Sequence, residues 1–268
     1  MTKALSFRRP CWTIKALVAI APLLTCQSVA HAQVKVIMSG GFTAAYRQLL
    51  PEFERTSGIS VTTASGSSQG TGPETIGAQL ARGVPGDVVI LSRQGLAGLI
   101  AAGRIVAGTD VDLARSALGV AVRAGAPKPD ISTVEAFSRA LLNAKAVAVP
   151  GSTSGIYLTM DLLPRLGIAD KIVVKVTARG TESTSMVAAG DADIAIQPVS
   201  ELLHVADIDF VGPLPPEVQL VQVFAAAVVA GSKQLEAAKR LIAFLASERA
   251  SAAIKDSGME PLGRGWPH

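Results

Sequence analysis

Strands and helices alternate along nearly the whole chain, in two successive blocks. That order limits the fold more than any other feature. In the first block, residues 34–38 form a short strand. Ser39-Gly40-Gly41 follows, then a helix with Tyr46, Leu49, Leu50 and Phe53 at i, i+3, i+4, i+7, stopped by Gly58. Residues 59–64 read as an alternating, β-branched strand. After a Ser/Gly loop, residues 74–82 read as a helix ended by Gly83. Residues 87–91 form a buried strand, and residues 94–102 a helix ended by Gly103. This order argues for a mostly parallel sheet with helices on both faces.

The pattern repeats. Strands are expected at 118–123, 146–149, 172–177 and 194–197, and helices at 134–143, 156–166, 183–189 and 199–204. Residues 210–216, with three prolines, read as loop. The apolar run 218–230 is too long for one ordinary strand and reads as a passage between lobes. Residues 234–255 read as one closing helix. No Pro-rich or Gly/Ser-rich linker divides the blocks, so the connections fall near 114–122 and 221–229. The expected fold class is α/β with two lobes, each a mostly parallel sheet flanked by helices, joined by two hinge crossings. Lobe one takes residues 33–116 with 224–268, and lobe two residues 117–223.

The first 32 residues stand apart. Lys3, Arg8, Arg9 and Lys15 precede an uncharged run over 16–30 whose apolar core, 16–24, is too short to span a bilayer and contains Pro22. It ends in Ala30-His31-Ala32, a small-x-small cleavage site. Residues 1–32 therefore read as a signal peptide, with Gln33 the first mature residue and the periplasm the destination. Leu23-Leu24-Thr25-Cys26 resembles a lipoprotein box, but Thr is bulky before the cysteine, so lipidation at Cys26 is not expected.

Composition then acquires a meaning. Net charge is +4, but four of the 25 basic residues lie in the leader, where no acid stands; the other 21 balance 21 acidic residues. No charge argument for nucleic acid survives. Apolar residues make up 49% and charged residues 17%, ample for a core. Both cysteines, Cys11 and Cys26, fall in the leader. The mature chain has no disulfide, thiol nucleophile or thiolate metal site, and its histidines are His204 and His268. No cofactor or metal is expected.

The loops after the strands are rich in hydroxyls and glycine: 39–43, 65–71, 151–155 and 181–185. Glycine lets backbone approach a ligand, Ser and Thr donate without charge, and each loop feeds a helix start whose free N–H groups favour an anion. Converging on a cleft, they would hold a small oxyanion. Singly, such residues are ordinary caps and turns. Gly66-Ser67-Ser68-Gln69-Gly70 also matches G-x-S-x-G, which opens a serine-hydrolase reading with Ser68 and His204. No Walker loop is present. Asp191 and Asp193 read as a solvated turn, and 4% aromatics argue against a sugar binder.

Several stretches together resemble the molybdate-binding group of type II periplasmic solute-binding proteins. They are the first βα unit, Gly83-Val84-Pro85-Gly86-Asp87-Val88-Val89-Ile90, Ser154-Gly155-Ile156-Tyr157, Asp191-Ala192-Asp193-Ile194-Ala195-Ile196 and the closing helix. The resemblance implies a receptor that delivers a small oxyanion to the membrane permease of an ABC transporter, catalyses nothing and works as a monomer. It also implies a site at Ser39, Gly40, Gly41, Ser67, Ser68, Ser154, Gly155, Ser183, Thr184 and Gln197. The family's first-loop Ser falls near Gly41, and Gln197-Pro198 stands where the family has Tyr. A bulkier organic anion is therefore an alternative ligand, and a sensing domain without transport an alternative role. The candidate loops carry no Lys, Arg or His, with Arg179 just outside, so neutral hydroxyls and amides are expected to supply most contacts.

Overall fold

The structure, a computed structural model, describes residues 1–2 and 32–262. The leader reading falls outside them except at Met1, Thr2 and Ala32. The chain runs through β1 (Gln33–Met38), α1 (Thr43–Ser57), β2 (Ser60–Ser65), α2 (Ile76–Ala81), β3 (Val88–Ser92), α3 (Arg93–Ala101) and β4 (Val111–Arg123). Next come α4 (Val134–Asn143), β5 (Val147–Pro150), α5 (Thr153–Tyr157), α6 (Leu163–Arg165), β6 (Val174–Thr177), α7 (Gly180–Ala188), β7 (Ile194–Pro198) and β8 (Ile208–Pro213). β9 (Val221–Val228), α8 (Leu235–Leu245), α9 (Ser251–Asp256) and β10 (Glu260–Pro261) close the described chain.

β4 joins two sheets. In the first, β1 lies between β2 and β3 in parallel, and β9 runs antiparallel between β3 and the first part of β4. In the second, β5 lies between β6 and β7 in parallel, and the second part of β4 pairs antiparallel with β7 on one edge and β8 on the other. Alternation along the strands sorts the first core onto two faces. Val34, Val36, Val88 and Ile90 meet α1, α8 and α9, while Ile37, Val89 and Leu91 meet Ile76, Leu80, Leu96 and Leu99 of α2 and α3. The second sheet buries Val120, Val147 and Ile196 against Phe137, Leu141 and Leu158 on one face. Its other face is mostly alanine (Ala121, Ala148, Ala195), packed against Val187 of α7 and Leu202.

Four sequence expectations need correction. Residues 210–216 are not a loop: β8 pairs with β4, because Pro213 ends the strand and Pro215 and Pro216 lie beyond it. The closing helix is broken after Leu245, where Ser247 turns extended and its hydroxyl bonds the Phe244 carbonyl at 2.7 Å. The helix expected at 156–166 starts at Thr153. It passes through a wide turn, Leu158–Leu162, in which the Leu163 N–H reaches the Leu158 carbonyl just before Pro164, which has no N–H to give. The helix expected at 199–204 is a single tight turn, Val199–Glu201, followed by His204 in the left-handed region at φ 60°.

Candidate functional site

The parallel strands of the two sheets end toward one another, and their loops line a cleft of about 410 Å3. Ser39 and Gly40 follow β1, Ser65 ends β2 and Gly66 to Ser68 follow it, and Ser152 and Ser154 follow β5. Ala178 to Thr181 follow β6, and Ser200, Glu201 and Leu203 to Val205 follow β7. Thr43, Ala44 and Arg47 of α1, Thr184 of α7, and Gln222 and Phe224 of β9 complete the wall. The loops touch across the cleft. Gln69 N donates to Ser152 Oγ at 3.3 Å, Thr153 Oγ1 donates to Gln69 Oε1 at 2.8 Å, and the hydroxyls of Ser92 and Thr153 are 2.7 Å apart.

Two features make this cleft the candidate site. The helical elements that open on it have no side-chain cap: neither Ser39 before the turn into α1, nor Ser152 before α5, nor Arg179 before α7 bonds the first amides. α2, α3 and α4 begin with caps from Thr75, Ser92 and Thr133, while α8 and α9, away from the cleft, lack a cap as well. The orphan amides of the first group are left for something else. The second feature is a set of buried polar atoms without a partner among the described residues: Ser39 Oγ, Ser200 Oγ, Gln222 Oε1 and Gln197 Oε1. The first three belong to residues lining the cleft. Leaving such a group unpaired costs roughly 1–3 kcal/mol, which a polar ligand can offset.

Glu201 is the charged residue at the heart of this arrangement. A β-carbon added at Gly40 would lie 2.8 Å from its Oε1, and one at Gly180 1.9 Å from its Oε2, so glycine at both positions makes room for the carboxylate. No donor among the described residues bonds the carboxylate. Burial alone pushes its pKa from 4.5 up to about 7. At the mouth stand Arg47, His204 and Arg179, the last bonded to Glu74 across the cleft at 2.7 Å. Among the described residues no group of three His, Cys, Asp or Glu is placed to hold a metal ion.

Of the residues singled out in the sequence, Ser39, Gly40, Ser67, Ser68, Ser154 and Thr184 line the cleft. Gly41, Gly155, Ser183 and Gln197 are set back from it. Gly41 lies against the Phe224 ring, where a β-carbon would come within 1.9 Å, and Gly155 against the Pro150 carbonyl at the same distance. The hydroxyls of Ser183 and Thr177 are 2.7 Å apart, and Gln197 donates Nε2 to the Glu201 carbonyl at 3.0 Å. Thr184 bonds back to the Thr181 carbonyl at 3.0 Å. The hydrolase pair does not form. Ser68 Oγ accepts the Ser92 N–H at 2.9 Å, His204 Nε2 meets the Asp256 carbonyl at 3.2 Å, and the glycine stretch runs into a loop that reaches α2 only at Ile76. A nucleophile elbow needs a sharp strand-to-helix turn. Sequence reading missed Glu201, Ser200, Gln222 and Arg47. The one available signal was an acid just beyond Gln197-Pro198, at the carboxyl end of a strand, in a site otherwise read as neutral.

Comparison with known proteins decides the family. The family model described as bacterial extracellular solute-binding protein matches residues 34–260. The chain belongs to this family. The architecture is that of two-lobe type II binding proteins. The periplasmic molybdate-binding protein of Azotobacter vinelandii superposes with a TM-score of 0.66 at 21% identity, over 84% of this chain and 98% of its own. The sulfate-binding protein SubI of Mycobacterium tuberculosis gives 0.68 at 21% identity, over 87% and 88%. A nearer relative in sequence, from a Pseudomonas species, is 38% identical over 247 residues, 92% of this chain and 94% of its own, and is named aconitate isomerase. That relative overturns the expectation of a protein that catalyses nothing, because its name is that of an enzyme. Glu201, a carboxylate poised near neutrality in the cleft, is a group that pure anion binding would not call for.

Proposed function

We propose that this chain is an isomerase of a small unsaturated polycarboxylate of the aconitate type, exported to the periplasm and acting in the cleft between lobes 33–116 with 224–268 and 117–223. The Pseudomonas relative suggests the substrate class. The observation that carries the reading is the unpartnered Glu201 carboxylate, with its pKa raised to about 7, among uncapped helix starts. A general base works best with a pKa near the working pH.

Aconitate is propene-1,2,3-tricarboxylate. Its methylene hydrogens are acidified twice, beside a carboxylate and beside the double bond. Glu201 takes one of them. The C–H electron pair becomes a new π bond, the old π pair moves to the far carbon, and that carbon takes a proton from Glu201, whose carboxyl hydrogen exchanges with solvent. The skeleton is again the same tricarboxylate, its geometry set by the bound conformer, and Glu201 ends as it began. Charge that develops on the carboxylates is met by the helix-start amides and by Arg47, Arg179 and His204. A cleft of about 410 Å3 suits such a molecule, since small-molecule sites run to about 300–1,000 Å3. Delivery of an inorganic oxyanion to an ABC permease fits the site less well, because Glu201 sets a negative charge against a dianion.

The test is proton NMR of cis- and trans-aconitate with the purified protein in heavy water. Interconversion, with deuterium entering the methylene position, is expected. A folded protein that interconverts neither isomer at millimolar concentration excludes the reading.

A further inference from the structure

We infer that the cleft is latched shut by the protein itself: a neutral chain of hydrogen bonds through Ser92, Thr153 and Gln69 ties the loops of the first sheet to those of the second, so closure of the lobes does not wait for a ligand. The direction of the chain is fixed. Gln69 Oε1 can only accept, so the Thr153 hydroxyl donates to it, at 2.8 Å. That spends the one hydroxyl hydrogen of Thr153. The Ser92 hydroxyl, 2.7 Å away, must therefore donate to Thr153 Oγ1. Ser92 Oγ in turn accepts the Gly95 N–H at 3.1 Å. Ser92 and Thr153 are 0% and 5% exposed, so this junction is shielded from water.

Ser92 ends β3 and Thr153 opens α5, which places the two ends of the latch on different sheets. Shorter-range bonds hold each end in place. Ser68 Oγ accepts the Ser92 N–H at 2.9 Å, and the Gln69 N–H reaches Ser152 Oγ at 3.3 Å. Gly70, at φ 115°, lies against the Gly151 carbonyl, where a β-carbon would come within 2.6 Å, so only glycine lets the two loops approach this far. Buried hydrogen bonds in a chain polarise and strengthen one another. The latch carries no charge, so salt does not screen it. A ligand shifts a conformational equilibrium only by its preference for one state. Here the protein's own contacts supply the preference for the closed state, and occupancy has little left to change. A partner that reads the closed shape would meet the same surface on occupied and empty chains, which suits a protein that works alone. The inference concerns the lobes and stands without the isomerase reading.

Small-angle X-ray scattering of the purified protein tests it, alone and with millimolar cis-aconitate or sodium sulfate. The wild type alone is expected to fit the profile calculated from the structure, with a radius of gyration that neither compound changes. Thr153→Val and Gln69→Ala each break the chain and are expected to show a larger radius than the wild type. A wild type more expanded than the structure overturns the inference, and so do folded variants with the wild-type radius. Should one variant fail to fold, the other is read in its place, and the wild-type profile still decides. The NMR assay reads the isomerase proposal separately, so failure of either is told from failure of the other.

Discussion

Arg179 and Glu74 meet across the cleft, guanidinium Nη2 to carboxylate Oε2 at 2.7 Å, joining the residue before α7 to the loop after β2. Both side chains are 41–48% exposed, so the pair adds at most about 1 kcal/mol to stability. Its larger effect falls on binding, because a substrate carboxylate must compete with Glu74 for the guanidinium. Glu74→Gln should lower KM for aconitate, and Arg179→Ala should raise it about tenfold or more. Steady-state kinetics of the two variants checks this; shifts in the same direction would mean that the pair only ties the loops together.

Removing the proposed base has a different signature. Glu201→Gln should lower kcat by about 10²–10⁴ with a much smaller change in KM. In the wild type the base must be ionised, so kcat/KM should rise with pH through about 7. Arg47, Arg179 and His204 face the same cleft, and the carboxylates of the substrate oppose them. A profile flat from pH 5 to 9, as an approximate span around that value, would assign the base elsewhere.

The same residue links stability to pH. Below its ordinary pKa of 4.5, Glu201 is protonated in the folded and unfolded chain alike, and no penalty arises. As pH rises toward about 7 the unfolded chain ionises first, and stability is lost. Above that the loss is constant. Glu201→Gln should therefore melt above the wild type near about pH 8 and with it near about pH 4. Calorimetric melting curves at both pH values read the difference.

Gln222 is 4% exposed and its Oε1 has no partner among the described residues. Shortening it removes no bond the fold relies on. Gln222→Ala should leave the melting temperature within a few degrees, about 1 kcal/mol or less, while weakening aconitate binding by about tenfold. A thermal-shift titration separates the two effects.

Gly41 makes the opposite case. A β-carbon there would come within 1.9 Å of the Phe224 ring, which is 1% exposed and cannot swing away. Gly41→Ala should destabilise the protein by about 1–3 kcal/mol, measured by urea unfolding.

The alternation of elements was legible because burial repeats at the two regular periods. α1 shows Tyr46, Leu49 and Phe53 on its inner face, and β3 is buried throughout, an unbroken apolar run in sequence. β4 was legible only in its second part. Asp112 and Arg115 interrupt the apolar run in the first, yet they pair with Arg93 and Glu260 at the surface while Leu113 and Ala114 go inward. The site was half legible. Loop chemistry found Ser39, Gly40 and Ser154, because caps and hydroxyl-rich turns are local. Glu201 was not found, because a lone acid after a strand looks solvated until Gly40 and Gly180 close over it from distant parts of the chain. Ser183 was a candidate for the converse reason: nothing local shows that Thr177 already holds its hydroxyl.

The place of β9 sets the order in which this molecule can be assembled. It is inserted between β3 and β4, so the first sheet lacks an inner strand until residues 221–228 have been made. A chain ending at β3 would present an open edge and half of its inner face uncovered, since α8 and α9 come later in sequence. The second sheet draws on residues 111–213 alone and can close earlier. The first sheet is thus complete only with a strand from the far end of the chain. β3 pairs with β9 more than a hundred residues downstream, the kind of non-local contact that slows folding.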